Sequence, residues 1–582
     1  MSYQGFISRL SKEEQDFYDI KNAAAEFYKV QRIPQEMERA LNELFLHKPE
    51  DVHGYLANYF ANLSAPPRIS RLQGREVYDA GGQLSIETEV FCIVCNKEQS
   101  MSSAAISSHL GPKETSLDWK ATIQETAQHV TTAVQWINGP LSSMLKIQNP
   151  CDQSEVDRIL SNFFMACYLK EKDIRNKEEE SNLPNDPEVV LLSPTHVQSK
   201  DQRSGDKGKK SNTAEKPLPS AEPTEPVLPG SLAIGSVSLA VAKTGAQVQG
   251  IPLYKYIAAL KNTKALAQFH IPVPLVTLLS CGKNSPGKLN LLEEVILIPK
   301  VGQRVKQIIT MTLELQKEMM KIINTSTKTG ATQAILCDSG APAMSYERPE
   351  QPLDLIIEAC TNLGLSLGEE IHLAVNCAAP ELMDYSKGKY EVASGALKSP
   401  DELVDMYQTL ISKYPAVVAL IDPFRREDKH QWEKLSNGIG DSCSLLSDIT
   451  YKSKAPPLPG VRGHILKYIN ETTVSDLIHI TSQHHGNRAT EAASVLLGTT
   501  CREPCSDYSL SDIAVGLGLD YVKLGGLSSA ERITKYNRLS SIEEELAQQG
   551  ILVSKEKHLA PLFTEKPPEQ STTAESTPSV CF

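Results

Sequence analysis

The chain of 582 residues carries 59 Lys and Arg against 71 Asp and Glu, a formal net charge of −12. That length suits about three or four domains, and the acidic balance favours solubility and argues against a nucleic-acid partner. No apolar run nears the ~18 residues that span a bilayer, the opening "MSYQGFISRLSKEEQ" lacks the apolar core of a secretory signal, and twelve scattered cysteines give no disulfide framework, so an intracellular protein off the membrane is expected.

Residues 1–66 read as a helical module ending at "SAPPR". Within it Ile33, Met37, Leu41 and Leu44 fall on one helical face, Lys48-Pro49 breaks the pattern, and Val52, Leu56 and Phe60 align on a second helix. Residues 67–170 are of mixed α and β character, and Cys92 and Cys95 in "CIVC" read as packing thiols of a strand. Residues 171–229 are polar and nearly free of aromatics, so they bury too little apolar surface to offset chain entropy and are expected to be disordered. Order resumes over 230–265, a barrel-type domain follows over 266–558, and 559–582 is a polar tail.

The barrel region opens with "PVPLVTLLS" and "EEVILIP", then a helical stretch at 306–324 and a second at 352–363 stopped by Gly364. Short apolar runs then alternate with amphipathic stretches: "IHLAVNC", "VVALID", "CSLLSDI", "HILKYI", "ASVLLG" and "DYVKLGG". Between the first two, "SPDELVDMYQTLISKY" predicts a helix capped by Ser399, with Pro400 at its first position and Glu402 closing a capping box. Eight parallel-type strands with intervening helices predict a βα barrel, with β-β-α-α as its irregular opening.

Chemistry in such barrels sits where strands end. The residues there are Glu293, Glu294, Asn376, Asp422, Ser447, Asp448, Lys467, Arg502 and Lys523. A lysine ending a buried strand either works as a desolvated base or projects its stem into water. Two of them, Lys467 and Lys523, on different strands of one rim point towards an anionic site.

These segments resemble the enolase family over nearly all of Arg68–Leu546. The likeness rests on "REVYDAGGQLSIETEV", "GSLAIGSVSLAVAKTGAQVQGIPLYKYIAAL", "LEEVILIP", "IDPFRRED", "HILKYINETT" and "VKLGGLSSAERITKYNRLSSIEEEL". It implies an α/β chain with an α+β N-terminal domain before a β2α2(βα)6 barrel, usually dimeric, that dehydrates 2-phospho-D-glycerate to phosphoenolpyruvate in glycolysis. Enolase-superfamily sites use a Lys or His base with magnesium stabilising the intermediate. By resemblance Lys467 is the base, Lys523 contacts the substrate carboxylate, and Glu294 lies near the leaving hydroxyl.

The family's magnesium ligands are two Asp and one Glu. Here those positions read Asn376, Ile421 and Ser447. Magnesium wants hard oxygen ligands, usually one or two of them carboxylates, and Ile421 offers none. Asp422 and Asp448 stand one residue further on, where a regular strand turns them to the opposite face, so replacement by Asp422 needs a local change of backbone.

Other family features are altered too. Ser107 and Ser108 remain of a serine loop, and Ser285 stands where a histidine is expected. Asp338 and Ser339 replace an acidic pair, and Arg502 matches a phosphate contact only with a one-residue gap. His484 and His485 before Gly486 read better as a helix end than as metal ligands. Weak turnover is therefore expected.

The N-terminal hairpin resembles the dimerisation and docking module of cyclic-AMP-dependent kinase regulatory subunits at "ALNEL…KPEDVHGYLANYF". That resemblance implies a four-helix dimer accepting an amphipathic helix of an anchoring protein, and a place in a cytoskeletal, ciliary or flagellar assembly. The other reading is a hairpin packed on its own barrel. Two functions follow: a lyase working as a homodimer or with a conventional enolase, or a non-catalytic enolase-fold scaffold held by its hairpin.

Overall fold

Three helices open the described part of the chain: α1 (Lys12–Val30), α2 (Ile33–His47) and α3 (Val52–Leu63). The computed structural model describes residues 11–108, 119–182, 227–262, 266–283, 285–326, 335–450, 456–486, 494–500 and 503–553. Helix α1 was not separated in the sequence, although Ser11 and Glu14 form a capping box in plain view. The break at Lys48 is a left-handed C-cap, and the Asp51 side chain caps α3 by accepting from the Gly54 N–H. A 3.0 Å hydrogen bond between Tyr55 Oη and His47 Nδ1 ties α3 to α2. Residues 1–68 with 93–99 form one compact unit, and the remainder forms another.

A three-stranded sheet follows, β1 (Arg68–Tyr78), β2 (Leu84–Val94) and β3 (Lys97–Ser107), ordered β1-β2-β3. Cys92 is buried, as a packing thiol should be. Cys95 instead sits exposed in the turn after β2, where φ of +50° at Cys95 and +61° at Asn96 reverses the chain. Helices α4 (Trp119–Trp136), α5 (Gln153–Asn182), α6 (Leu232–Val248) and α7 (Leu253–Lys261) follow. The stretch read as disordered from residue 171 begins inside α5, because "KEKDIRNKEEE" combines good helix formers with an i,i+4 pair of Arg175 and Glu171. Residues 183–226 and the tail from 554 lie outside the described residues.

Helix α6 is apolar or small nearly all round, so it is buried along most of its length. Its Gly235 is a point of close approach. The Gly235 N–H donates to Asn470 O at 2.8 Å, and a Cβ there would stand 2.5 Å from that oxygen. Tyr468 Oη returns a 2.8 Å hydrogen bond to Gly235 O. From α5, Asp157 accepts from Ser238 of α6 and from the Ser475 N–H and hydroxyl. The segment just after Lys467 is thus pinned from beneath by buried hydrogen bonds.

Eight strands close a barrel: β4 (Val273–Ser280), β5 (Glu294–Pro299), β6 (Ile371–Asn376), β7 (Val417–Ile421), β8 (Ser444–Asp448), β9 (Val461–Lys467), β10 (Ser494–Gly498) and β11 (Tyr521–Gly525). They pair in sequence, and β11 returns to β4. Strand β5 runs antiparallel to both neighbours, unlike the other six pairings. A parallel pair needs a crossover, usually a helix, and the described residues between β4 and β5 form none, so the chain turns straight back. The opening β-β-α-α order holds, with α8 (Val305–Ser326) and α9 (Glu350–Leu363) after β5. Helix α10 (Pro400–Lys413) starts at the Ser399–Glu402 capping box, and Gly364 ends α9 at φ +69°. Helices α11 (Lys429–Ile439), α12 (Val474–Gly486), α13 (Ser509–Gly516) and α14 (Ala530–Gln548) complete the outer layer. The interior is filled by Val273, Leu275, Ile296, Ile298, Ala374, Ala419, Ile421, Leu446, Ile465, Leu496 and Tyr521, a packed core and not a pore.

Candidate active site at the barrel mouth

Strand register builds the mouth. Lys467, Gly498 and Lys523 stand in one row across β9, β10 and β11. Two interstrand spacings put the lysine backbones roughly 9–10 Å apart, with a glycine between them. Opposite, Glu294, Asn376 and Ile421 form a second row across β5, β6 and β7.

Glu294 is buried and receives three side chains. Lys523 Nζ lies 2.5 Å from its Oε2, Asn376 Nδ2 donates to the same oxygen at 3.1 Å, and Thr277 Oγ1 donates to Oε1 at 3.2 Å. Burial alone would raise this carboxyl. The Lys523 ammonium and the three hydrogen bonds outweigh it and hold Glu294 below the usual carboxylate range.

A second cluster surrounds Lys467. Its Nζ lies 2.8 Å from Asp448 Oδ2, while Thr450 donates to Asp448 Oδ1 through both hydroxyl and N–H. Burial again opposes, and the Lys467 charge again wins, so Asp448 is lowered. Asp422 joins this cluster against the strand-alternation argument. Strand β7 ends at Ile421, and Asp422 takes a left-handed φ of +46°, the local backbone change that a regular strand forbids. Its Oδ1 then accepts from the Asp448 N–H at 3.1 Å, and the Ser447 hydroxyl also bonds it. Burial first, and the Asp448 charge second, push Asp422 up to about 7.

The other predicted residues scatter. Ser285 donates to Ser280 at 3.3 Å beside Cys337, and Ser107 ends β3, buried next to Ser108. Asp338 is exposed, although its carbonyl and that of Ser339 hold the loop after β11 through Arg532 and the Gly526 N–H. His484 and His485 belong to the last turn of α12. Arg502 lies outside the described residues. Sequence reasoning missed Glu381, one turn past β6, whose carboxyl is raised by desolvation against the pull of Lys467 and Lys283. An acid so soon after a strand end was the available signal.

The family description "Enolase, C-terminal TIM barrel domain" matches residues 268–560. Among similar proteins, Enolase 4 of Danio rerio is 47% identical over 565 residues, covering 95% of this chain and 96% of the relative. Enolase 4 of Xenopus laevis is 44% identical, covering 97% and 98%, and Enolase 4 of Homo sapiens is 41% identical, covering 94% and 91%. The chain belongs to the enolase family.

Enolases generally use magnesium, and the side chains at the three positions that the resemblance gives as ligands do not fit it. Asn376 spends its amide nitrogen on Glu294 and accepts the Ala378 N–H on its oxygen. Ile421 is 2% exposed, packed in the barrel core. The Ser447 hydroxyl is engaged by Asp422. Among the described residues no three His, Cys, Asp or Glu side chains come together as a metal-holding group. No described helix is long and apolar enough to cross a membrane.

Proposed function

We propose that this chain is a carbon–oxygen lyase of enolase type, converting 2-phospho-D-glycerate to phosphoenolpyruvate slowly. The observation that carries this reading is the single register row holding Lys467 and Lys523 at the mouth. Lys467 in its uncharged form takes the C2 proton at Nζ, the freed electron pair forms the C2–C3 double bond, and the C3–O bond breaks to release hydroxide, which takes a proton from solvent as Lys467 later returns its own. Lys523 faces the substrate carboxylate, whose negative charge grows as the proton departs. Glu294, held in place by Asn376 and Thr277, orders the leaving hydroxyl through a hydrogen bond. Loss of one well-aimed donor in a comparable site costs about 3–4 kcal/mol, so a mouth lacking the family's metal carboxylates turns over slowly. The test is phosphoenolpyruvate formation by the purified full chain, set beside a variant lacking Lys467. Equal rates in both would point to a contaminating enolase and remove the lyase reading.

A second reading, an anchored scaffold in a cytoskeletal, ciliary or flagellar assembly, draws on the N-terminal unit. Met37, Leu41, Phe45, Val52 and Phe60 are exposed there, and Ala40 is the one buried residue of α2 and α3. Single exposed apolar residues are ordinary, but a contiguous stripe marks an interaction surface. A binding survey of the 1–66 fragment against amphipathic anchor helices separates the two readings.

A further inference from the structure

We infer that the barrel mouth takes an anionic ligand without a divalent cation, the ligand displacing Glu294 from Lys523. The ligand class, a phosphorylated carboxylate, rests on the lyase reading above. The independence from metal rests on geometry alone.

In a metal-dependent mouth the cation balances both the protein's carboxylates and the ligand. Here that balance is achieved within the chain. Lys523 is 2.5 Å from Glu294 and Lys467 is 2.8 Å from Asp448, so each ammonium already has a counter-ion. Where the family places a ligating carboxylate, Ile421 packs against the apolar barrel interior, and hydrocarbon cannot coordinate a hard cation. A divalent ion would have to pull Asp448 from Lys467 and Thr450, Asp422 from the Asp448 N–H and Ser447, or Glu294 from three donors, and it would gain no carboxylate at 421 in return.

Exchange at Lys523 breaks one ion pair and leaves the other hydrogen bonds of Glu294 in place. Glu294 keeps Asn376 Nδ2 on one oxygen and Thr277 Oγ1 on the other when the ammonium leaves. The carboxylate left behind keeps a donor on each oxygen, and the ligand's bonds to the freed ammonium must offset the loss of its ion pair. Lysine moves on a flexible stem, and its compact ammonium binds carboxylate or phosphate oxygen as a point charge. Asn376 is essential to this arrangement. An Asp at 376 would face Glu294 with a second negative charge, whereas the amide offers it a donor. Glu294 thus acts as an internal occupant of the ligand's place on Lys523.

The full chain is titrated with Mn2+ alone, followed by its paramagnetic signal, and with phosphoenolpyruvate in chelator or in magnesium. The expected results are no Mn2+ uptake at millimolar concentration and equal phosphoenolpyruvate affinity in both buffers. Lys523→Met should weaken that binding about tenfold or more, and Glu294→Gln, which can accept from Asn376 on its oxygen and donate to Thr277 Oγ1 while freeing Lys523, should tighten it. Mn2+ uptake, or binding that requires magnesium, would overturn the inference. So would an absence of phosphoenolpyruvate binding in both buffers, or a Glu294→Gln variant that binds more weakly. Failure here is separable from failure of the lyase reading: magnesium-dependent dehydration overturns this inference and keeps the lyase, while metal-free binding without dehydration does the reverse.

Discussion

Lys467 Nζ lies 2.8 Å from Asp448 Oδ2, so the residue proposed as the base is engaged by a carboxylate of its own chain. Any dehydration should depend on Lys467, because no other described lysine on β9 or its neighbours occupies that place. Removing Lys467 alone strands Asp448, and an unpaired buried charge costs about 3–5 kcal/mol. The cleaner test is Lys467→Met together with Asp448→Asn, which deletes both charges. That protein should melt near the wild type and form no phosphoenolpyruvate, whereas Asp448→Asn alone should retain some turnover. Turnover by the double variant would assign the base elsewhere.

Ile421→Glu sets a carboxylate where the resemblance places a ligand of the family. In chelator it should destabilise the full chain by about 3–5 kcal/mol, since a charge then sits among Leu446 and Ile465. Millimolar Mn2+ should recover most of that loss, and Asn376→Asp in addition should improve recovery, because neighbouring ligands couple. The wild type should not respond. A melting temperature of the variant that ignores Mn2+ would mean that position 421 does not face the metal's place.

Much of this arrangement was legible in the chain. The Ser399–Glu402 box, the Gly364 stop and the eight strand segments were readable because each depends on local chemistry: a hydroxyl cap, a left-handed glycine, an apolar run. Pairing directions and side-chain directions at strand ends were not. Strand β5 has an apolar pattern that suits either direction, and only the helix-free connection before it decides. Asp422 was expected on the opposite face from position 421 by strand alternation, a rule that stops applying once the chain leaves the strand at Ile421. Resemblance marked Lys467, Lys523 and Glu294, but the pairs they make with Asp448, with each other and with Asn376 are contacts between distant segments, which periodicity does not carry.

Asp422 gives the mouth a pH dependence with a definite sign. Its folded value is raised to about 7, against about 3.9 in an unfolded chain. Between those values the folded protein keeps a proton that the unfolded chain has released, so this group makes stability fall as pH rises through the window, with no further loss above it. Asp422→Asn mimics the protonated form and can still accept the Asp448 N–H. Denaturant titrations should find the variant more stable than wild type at about pH 8 and equal to it near pH 4. The same offset at both pH values would rule out titration of Asp422 as the cause.

Gly235 tests how the segment after Lys467 is held. A Cβ at this position would meet Asn470 O at 2.5 Å and Thr472 O at 3.0 Å, both backbone atoms that cannot rotate away. Gly235→Ala should cost about 1–3 kcal/mol, as overpacking of a tight interior does. It should also lower turnover beyond that loss of stability, because the displaced residues 470–472 follow Lys467 directly. Hydrogen exchange localised to 468–473 would report the shift, and unchanged protection there would place the pinning of Lys467 elsewhere.

The N-terminal unit makes the last prediction. Helices α2 and α3 leave Met37, Leu41 and Phe60 exposed and Leu44 and Leu56 half-buried, so one hairpin cannot remove its own apolar stripe from water. Burying a leucine side chain is worth about 1.5–3 kcal/mol, and a symmetric pairing of two hairpins would bury the stripe twice over. Residues 1–66 alone should therefore sediment as a dimer and bind an amphipathic anchor helix. Leu44→Asp with Leu56→Asp should abolish both, because each substitution sets a charge on the surface to be buried. The same pair of changes in the full chain should leave any association through the barrel, with itself or with a conventional enolase, as it was. A 1–66 fragment that sediments as a monomer and binds the isolated barrel domain would make the hairpin a structural extension of the fold and end the anchored-scaffold reading.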